Sequence, residues 1–426
     1  MNYKQNEKIL QVTEKTLVIG IDIAKEVHYA RAFNFRRIEL DKVVSFRNSF
    51  DGFNSFIQWI RTVMKNNNLD KVIIGFEPTG HYWRNFSEYC RDNNLKYVMV
   101  NPFHVKRSKE LDDNSQTKND RKDPKTIAML VIDGRFSEAY VATGIFAELR
   151  NVVKIYDHVI GCKSVVENKI IQWLDIYFPE FTTVFGDWEG KAAMITLKSF
   201  PLPSMIVNLG ETKVLETWKK EIKQGVGRKR ASKLFETAQV SVGCTEGLKM
   251  AVKELEYLRK EYEVYALQME EIKAGMEELL KQIPGAKEVL EIKGMGIVSA
   301  ASIISEIGDI SRFEDARQIQ KYAGLSLIEN SSGKHKGQTT ISKRGRKRLR
   351  AVLFRVIMPM VAKNPEFKEL HLYYTTRKDN PLKKKQSLIT LCCKLIRIIF
   401  AVLTKKVAYD GSKLMKDIKR MEKVAA

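Results

Sequence analysis

Two stretches of this 426-residue chain end on an acid after the same kind of run, Val18-Ile-Gly-Ile-Asp22 and Ile73-Ile-Gly-Phe-Glu77. If both runs are buried strands and lie side by side, Asp22 and Glu77 come close together. Two neighbouring carboxylates repel and stay ionised only with positive charge between them. A pair of hard oxygen ligands suits Mg2+ or Mn2+. A further pair, Asp120 and Asp123, stands in KNDRKDPKT. Pro124 disfavours helical backbone at Asp123 and suits the first position of a helix, so Asp123 is a natural N-cap with Asp120 in the turn before it. Taken alone, Asp123 reads equally as a cap and nothing more. Together the four acids would complete a site for two hard metal ions, which can clamp the attacking and leaving oxygens of a phosphodiester. Lys118, Arg121, Lys122 and Lys125 surround the second pair and suit a phosphate backbone.

A second constellation lies downstream. LEIKGMGIVSAASIISEIGDI places Gly294 and Gly296 between two helical stretches, the look of a helix-hairpin-helix, whose amides can hold a phosphate. A tight turn between helices also wants glycine. Then comes a run without acids from Lys334 to Arg350 that holds eight basic residues: Lys334, Lys336, Lys343, Arg344, Arg346, Lys347, Arg348 and Arg350. An apolar helix follows, so an ordered basic surface is expected. Ser331, Ser332 and Gly333 stand just before it. A serine beside many cations could attack a phosphate, because the cations stabilise the developing charge. On residue types alone, Asn-Ser-Ser-Gly is most often an ordinary turn.

The elements that must position these residues follow from patterning. Residues 16–135 give strand signals at TLVIGIDIA, VHYARAFNF, KVVSFRNS, KVIIGFE and KYVMVNP, with helices at FNSFIQWIRTVMKNN, HYWRNFSEYCRDN and from Pro124. That is an α/β layout with a mixed sheet. Residues 136–283 are all-helical, with apolar positions at Leu255, Leu258, Tyr262, Tyr265, Met269 and Ile272 spaced three and four apart, as in a coiled coil. An insert, 180–243, carries the basic cluster Arg228, Lys229, Arg230. Residues 284–426 form a basic helical unit that opens at Pro284-Gly285.

The formal charge is +22 with 44% hydrophobic residues, so the chain can build real cores and its partner is a polyanion, nucleic acid before membrane surface. The apolar stretch Leu388–Leu403 is broken by Lys394 and Arg397 and reads as a buried or amphipathic helix, with no membrane partner expected. The first fifteen residues carry no signal-peptide pattern. Cys90, Cys162, Cys244, Cys392 and Cys393 form no CxxC pair, which fits a reducing compartment without disulfides or zinc.

With these motifs together, the chain resembles the DEDD-type insertion-sequence transposases, the "IS one-ten" family, which includes the Piv-type DNA invertases. GIDIAK, GFEPTGHYW and KNDRKD match the family's three acid motifs. KGMGIVSAASIISEIGDISRFEDARQIQKYAGL, SSG and ISKRGRKRLR match its C-terminal domain. The resemblance implies a RuvC-like, ribonuclease-H-fold domain in which Asp22, Glu77, Asp120 and Asp123 are the metal-binding set. It implies a serine, Ser332 or Ser331, that forms a phosphoserine–DNA intermediate in a composite site with the acids of another subunit. It implies Mg2+ (or Mn2+), element and target DNA, a non-coding bridge RNA as guide, a dimer or tetramer held by the coiled coil, and a cytoplasmic, nucleoid-associated setting in a bacterium or archaeon. Three other readings are a sugar kinase of the actin-like type, a junction resolvase using the acids alone, and a non-catalytic nucleic-acid-binding protein. The first needs a second glycine-rich phosphate loop, and none is found.

Overall fold

In a computed structural model the chain divides into two compact units, 1–141 and 142–426. The structure describes residues 3–78, 80–112, 123–138, 140–223, 227–328, 331–332, 335–336, 339–415 and 418.

The first unit runs α1 (Tyr3–Ile9), β1 (Thr16–Asp22), β2 (Val27–Phe33), β3 (Val44–Arg47), α2 (Phe50–Asn66), β4 (Lys71–Phe76), α3 (Trp83–Asp92), β5 (Tyr97–Val100), α4 (Pro102–Asp112), α5 (Asp123–Ile132) and β6 (Phe136–Glu138). The sheet order is β3-β2-β1-β4-β5-β6. Strands β1, β2 and β3 form an antiparallel meander, β4 and β5 join parallel to β1, and β6 closes the edge antiparallel. The expected mixed α/β sheet is therefore present, in an order consistent with a RuvC-like domain. β1 is central because its apolar run can be buried on both faces. Leu17, Ile19 and Ile21 join one core with α2 and α3, while Val18 joins the other with α5. Ser49 starts α2 by accepting from the Gly52 amide, as an N-cap should.

The second unit is helical. Its long elements α6 (Gly144–Tyr177) and α12 (Leu248–Lys281) are antiparallel. The start of α6 (Leu149, Val153) meets the end of α12 (Met276, Leu280) in one core, and the end of α6 (Ile170, Trp173) meets the start of α12 (Ala251, Leu255) in another. Thirty-four residues each make this hairpin about 50 Å long. At one end, α7 (Phe181–Phe185), α8 (Lys191–Ser199), α9 (Pro203–Leu209), α10 (Glu211–Glu221) and α11 (Arg228–Gln239) close a small module around the fully buried Trp218. The insert is thus a folded part of the hairpin's tip. At the other end, α13 (Ala286–Leu290), α14 (Ile297–Ile307), α15 (Ala316–Tyr322), α16 (Lys347–Lys363), α17 (Pro365–Thr376), α18 (Lys384–Lys405) and α19 (Gly411–Met415) build the larger core. By length and composition α18 is apolar enough to cross a membrane, but Leu391, Leu395, Ile396 and Ile399 are buried in this core, as the interrupted apolar run suggests.

The stripe expected to form a coiled coil is occupied by the chain's own residues. Tyr262 packs edge-on to Trp188, carries the Lys163 ammonium over its ring and donates to Glu189. Leu255 and Leu258 lie in the module core. Periodicity identifies the stripe and leaves its partner open.

In the first unit, helix α5 lies directly on the sheet at two glycines. An added Cβ at Gly20 would sit 1.9 Å from the Pro124 carbonyl oxygen, and one at Gly75 would sit 2.5 Å from a Val131 methyl. Gly20→Ala meets backbone that cannot yield without moving α5. Its expected cost is about 2–3 kcal/mol or more, whereas Gly75→Ala meets side chains that can turn and should cost about 1–2 kcal/mol. Urea midpoints of the two variants against wild type check this order.

Candidate functional site

The glycines also place the acids. Gly20 and Gly75 are partners in the β1–β4 register, and so are Ile21 and Phe76. Asp22 ends β1 one residue past this rung, and Glu77 directly follows the end of β4. Alternation along β1 puts Asp22 on the glycine face, where α5 lies. The direction of α5 follows from its two ends. Pro124 covers Gly20, while Asp133, just past the other end, pairs with Arg37 beyond the Phe33–Val18 rung. So α5 runs antiparallel to β1, and its first residue, Asp123, lies toward the Asp22 end. Asp22, Glu77 and Asp123 are each half-buried, at the end of β1, just after β4 and at the start of α5. Lys125 occupies the first turn of α5. Asp120, Lys118, Arg121 and Lys122 lie outside the described residues. The donor set is all carboxylate oxygen, which fits a hard divalent cation and not a soft one. Among the described residues no three such side chains stand close enough to hold a metal ion by themselves.

Behind Asp22, the turn into β2 is held by His28. This ring is fully buried, within about 5–6 Å of Phe46, Phe53 and Phe86. Its Nδ1 accepts from the Ala24 amide at 3.2 Å. Burial pushes its pKa down from 6.5 to about 4, and Asn48 offsets this in part. His28 is therefore a neutral acceptor that shapes the loop leaving Asp22. No motif or spacing in the sequence singles it out.

The serines do not stand in a plain turn. Ser331–Ser332 form a short strand paired antiparallel with His335–Lys336, with Ser332 opposite His335. Leu327–Ile328 pair with Thr340–Ile341 further down the same loop. Lys334 lies outside the described residues, and of Lys336 only the backbone is described. The base of the loop is clasped by two glycines. A Cβ on Gly345 would lie 2.5 Å from the Tyr322 oxygen and 2.6 Å from the Gly324 amide nitrogen, and Gly324 itself has φ +71°. Amides of Ser342, Lys343 and Arg346 donate to the carbonyls of Ser326, Gly324 and Tyr322.

Part of the basic run is built inward. Arg346 Nε donates to Glu306 Oε2 at 2.7 Å, and Glu306, on α14, is 1% exposed. Arg348 bonds Asp157 of α6 at 2.7 Å and faces the second Glu306 oxygen at 3.5 Å. Arg350 donates to the Ala323 carbonyl, and Arg150 of α6 to the Ser305 carbonyl. Lys343, Arg344 and Lys347 are exposed. Of the basic residues expected to bind phosphate, Arg346, Arg348 and Arg350 also anchor the loop to the core. The signal in the sequence was Glu306 itself, the single acid within the apolar run of α14. Between α13 and α14, Gly294 adopts φ +96°, and a Cβ added there would lie 3.3 Å from Met360, so backbone conformation and close packing already account for this glycine.

Comparison with known proteins matches residues 19–179 to a DEDD-type transposase family described as "Transposase", and residues 278–372 to the "Transposase IS116/IS110/IS902 family". The chain carries two transposase domains of the IS110 family. The first match contains Asp22, Glu77, Asp120 and Asp123, and the second contains the serine hairpin and its clasp. Among relatives, a transposase for insertion sequence element IS1111A from Coxiella burnetii is 31% identical over 150 residues, 34% of this chain and 40% of the relative. The pilin gene-inverting protein of Moraxella bovis is 33% identical over 126 residues, 28% and 37% of the two chains. An insertion element IS116 protein of Streptomyces clavuligerus is 22% identical over 239 residues, 56% and 59%. The chain thus spans about half the length of the curated relatives it matches. The two matched transposase segments leave 180–277 between them.

Two outcomes follow. Between pH 6.5 and about 4 the unfolded chain binds a proton at His28 that the folded chain refuses, so stability falls as pH drops through that window and is unaffected above it. A non-titrating His28→Gln should flatten this part of the stability–pH profile, measured by urea unfolding at pH 4.5 and 7. Glu306→Ala leaves two arginines without their buried partner and should cost about 1–3 kcal/mol, less than a fully buried pair because Arg346 is partly exposed. Thermal unfolding of that variant checks it.

Proposed function

We propose that this chain is a DNA transposase or recombinase that cuts and rejoins insertion-element DNA, using a RuvC-like acid site and a serine nucleophile. The observation that supports the reading is that α5 packs on Gly20 with its Asp123 end toward Asp22, the acid that closes the central strand. An acid cluster at the end of a central strand suits phosphoryl transfer, and a +22 chain suits DNA.

In the proposed reaction the Oγ of Ser332, or of Ser331, attacks a phosphodiester phosphorus. A P–Oγ bond forms, the bond to the leaving sugar oxygen breaks, and the serine proton passes to a base in the site. The DNA end remains on serine while the leaving strand takes up a proton as a hydroxyl. Attack by a second strand's hydroxyl reverses these bonds and rejoins DNA. Lys343, Arg344 and Lys347 hold phosphate oxygens beside the hairpin, while the Glu306 anchor fixes the loop base. Asp22, Glu77, Asp120 and Asp123 would hold Mg2+ or Mn2+, and such ions supply charge neutralisation at the scissile phosphate. The acids and serine would come from different subunits. The seam of α12 is used within the chain, so a second copy would cover the outer face of the same hairpin, where Ile155, Val165, Tyr257, Val264 and Leu267 are exposed. The turn between α13 and α14 would act as a helix-hairpin-helix on backbone phosphate. A bridge RNA would supply sequence choice by base pairing, which relieves the protein of reading bases. The three-part division at 135 and 283 would then separate acid domain, spacer and serine domain.

The test is covalent capture. Protein purified with the RNA flanking its gene is mixed with end-labelled element-junction DNA and Mg2+, then denatured in detergent. Wild type should leave DNA attached to protein. The band should vanish in Asp22→Ala and in one of Ser331→Ala and Ser332→Ala. Free cleaved ends that need only the acids would indicate a junction nuclease, and binding without either product would indicate a non-catalytic module.

A further inference from the structure

The module at the hairpin tip, between the two family-matched segments, has charges sorted by use. Its acids are largely spent inside the fold. Glu180 accepts from Ser241 and from the Val242 amide, Glu189 pairs with Lys163 and Tyr262, and Asp187 accepts from the Glu189 amide. Its cations are not. Between Lys213 and Lys233 stand eight Lys and Arg against two Glu. Lys219, Lys220 and Lys223 close the end of α10, and Arg228, Lys229 and Arg230 open α11, all six exposed. The two helices pack together, so their facing ends form one corner. Arg228 reaches Glu211 at 3.6 Å while remaining 85% exposed. The other five form no ion pair among the described residues.

The corner is also built against local preference. Three consecutive cations occupy the first turn of α11, where the helix dipole is positive and cations are disfavoured, and Gly227 offers no capping side chain. A solvated face has no need of that arrangement. An anion lying across the corner satisfies both the cations and the open amides. Among the described residues the two helices carry four acids: Glu211, which meets Arg228, Glu216 and Glu221 on α10, and Glu236 in the second half of α11.

We infer that the α10–α11 corner is a second, sequence-independent contact for the phosphate backbone of duplex DNA. The choice of DNA rests on the proposed function; the choice of a phosphate backbone rests on the charges. The corner belongs to the core at the opposite end of the α6–α12 hairpin from the core that carries the serine loop. It would therefore grip DNA at a distance from the serine, lengthening the footprint and leaving base choice untouched.

The experiment uses the full chain. One variant carries Lys219→Ala, Lys220→Ala, Lys223→Ala, Lys229→Ala and Arg230→Ala. A charge-matched control carries alanine at five exposed lysines elsewhere: Lys65, Lys71, Lys363, Lys378 and Lys406. Circular dichroism and thermal unfolding confirm that both fold as wild type. Affinity for a mixed-sequence 40-base-pair duplex is then measured from roughly 50 to 300 mM salt, and in parallel for a single-stranded RNA of matched charge. Every phosphate that the protein no longer neutralises lowers the slope of log K against log salt by about 0.9, so the corner variant should show a slope smaller by about 2–4 and bind duplex roughly tenfold or more weakly near 150 mM salt. The control should change markedly less. An unchanged slope, an equal weakening in the control, or weaker RNA binding with duplex binding intact would each overturn the inference. Covalent capture by wild type is scored separately, so failure of the serine mechanism and failure of this contact give different results.

Discussion

The first unit depends on a single close approach. Helix α5 rests on a rung of the sheet where both partners are glycine, Gly20 of β1 and Gly75 of β4. At Gly20 no other residue leaves room for backbone against backbone, and at Gly75 the helix fills the space with a Val131 methyl. Because α5 sits that low and runs antiparallel to β1, its first residue lies toward the Asp22 end of the strand, two residues past the glycine rung. The start of α5 is thus placed by a contact between groups that carry no charge. His28 then fixes the loop that leaves Asp22, and it can do so only while neutral, which its burial ensures.

The second unit solves a different problem, which is how to present cations without leaving them loose. At one end of the α6–α12 hairpin, Glu306 and Asp157 take up Arg346 and Arg348, so a loop rich in like charges has a fixed base. A buried carboxylate is costly unless paired, and the arginines complete the pair from a segment that would otherwise repel itself. At the other end the acids serve the internal structure, and the cations of α10 and α11 are left on the surface. The same net charge is therefore used in two ways, as an anchor beside the serine hairpin and as an open face at the tip.

Much of this is legible in the sequence. Strands β1, β2, β3, β4 and β5 announce themselves because their apolar runs are short and bounded by turn residues, and the acids at Asp22 and Glu77 are conspicuous against such runs. The glycine two residues before each acid is visible as a repetition, but its meaning needs the register and the helix above it. Strand β6 and helix α4 escape a reading of the pattern. β6 is a three-residue edge strand, and α4 is a charged helix with little amphipathic contrast, so neither leaves a periodic trace. The α12 stripe is plain in the sequence and its partner is not, because periodicity reports that a face is buried and is silent on what buries it. The serine pair looks like a turn since a two-residue strand has no pattern of its own. Glu306 is open to discovery from the sequence, as an acid inside an apolar helix demands a cation.

The most direct measurement is Mn2+ binding, followed by electron paramagnetic resonance and by calorimetry, in wild type, Asp22→Ala and Asp123→Ala at neutral pH. Removing one ligand from a shared site should weaken binding roughly tenfold or more. If the glycine floor does bring the strand acid and the helix acid into one site, both variants should show that weakening while unfolding at the same temperature as wild type. Wild-type affinity in Asp123→Ala, with affinity abolished in Asp22→Ala, would contradict the account, since Asp123 would then be a helix cap and nothing more.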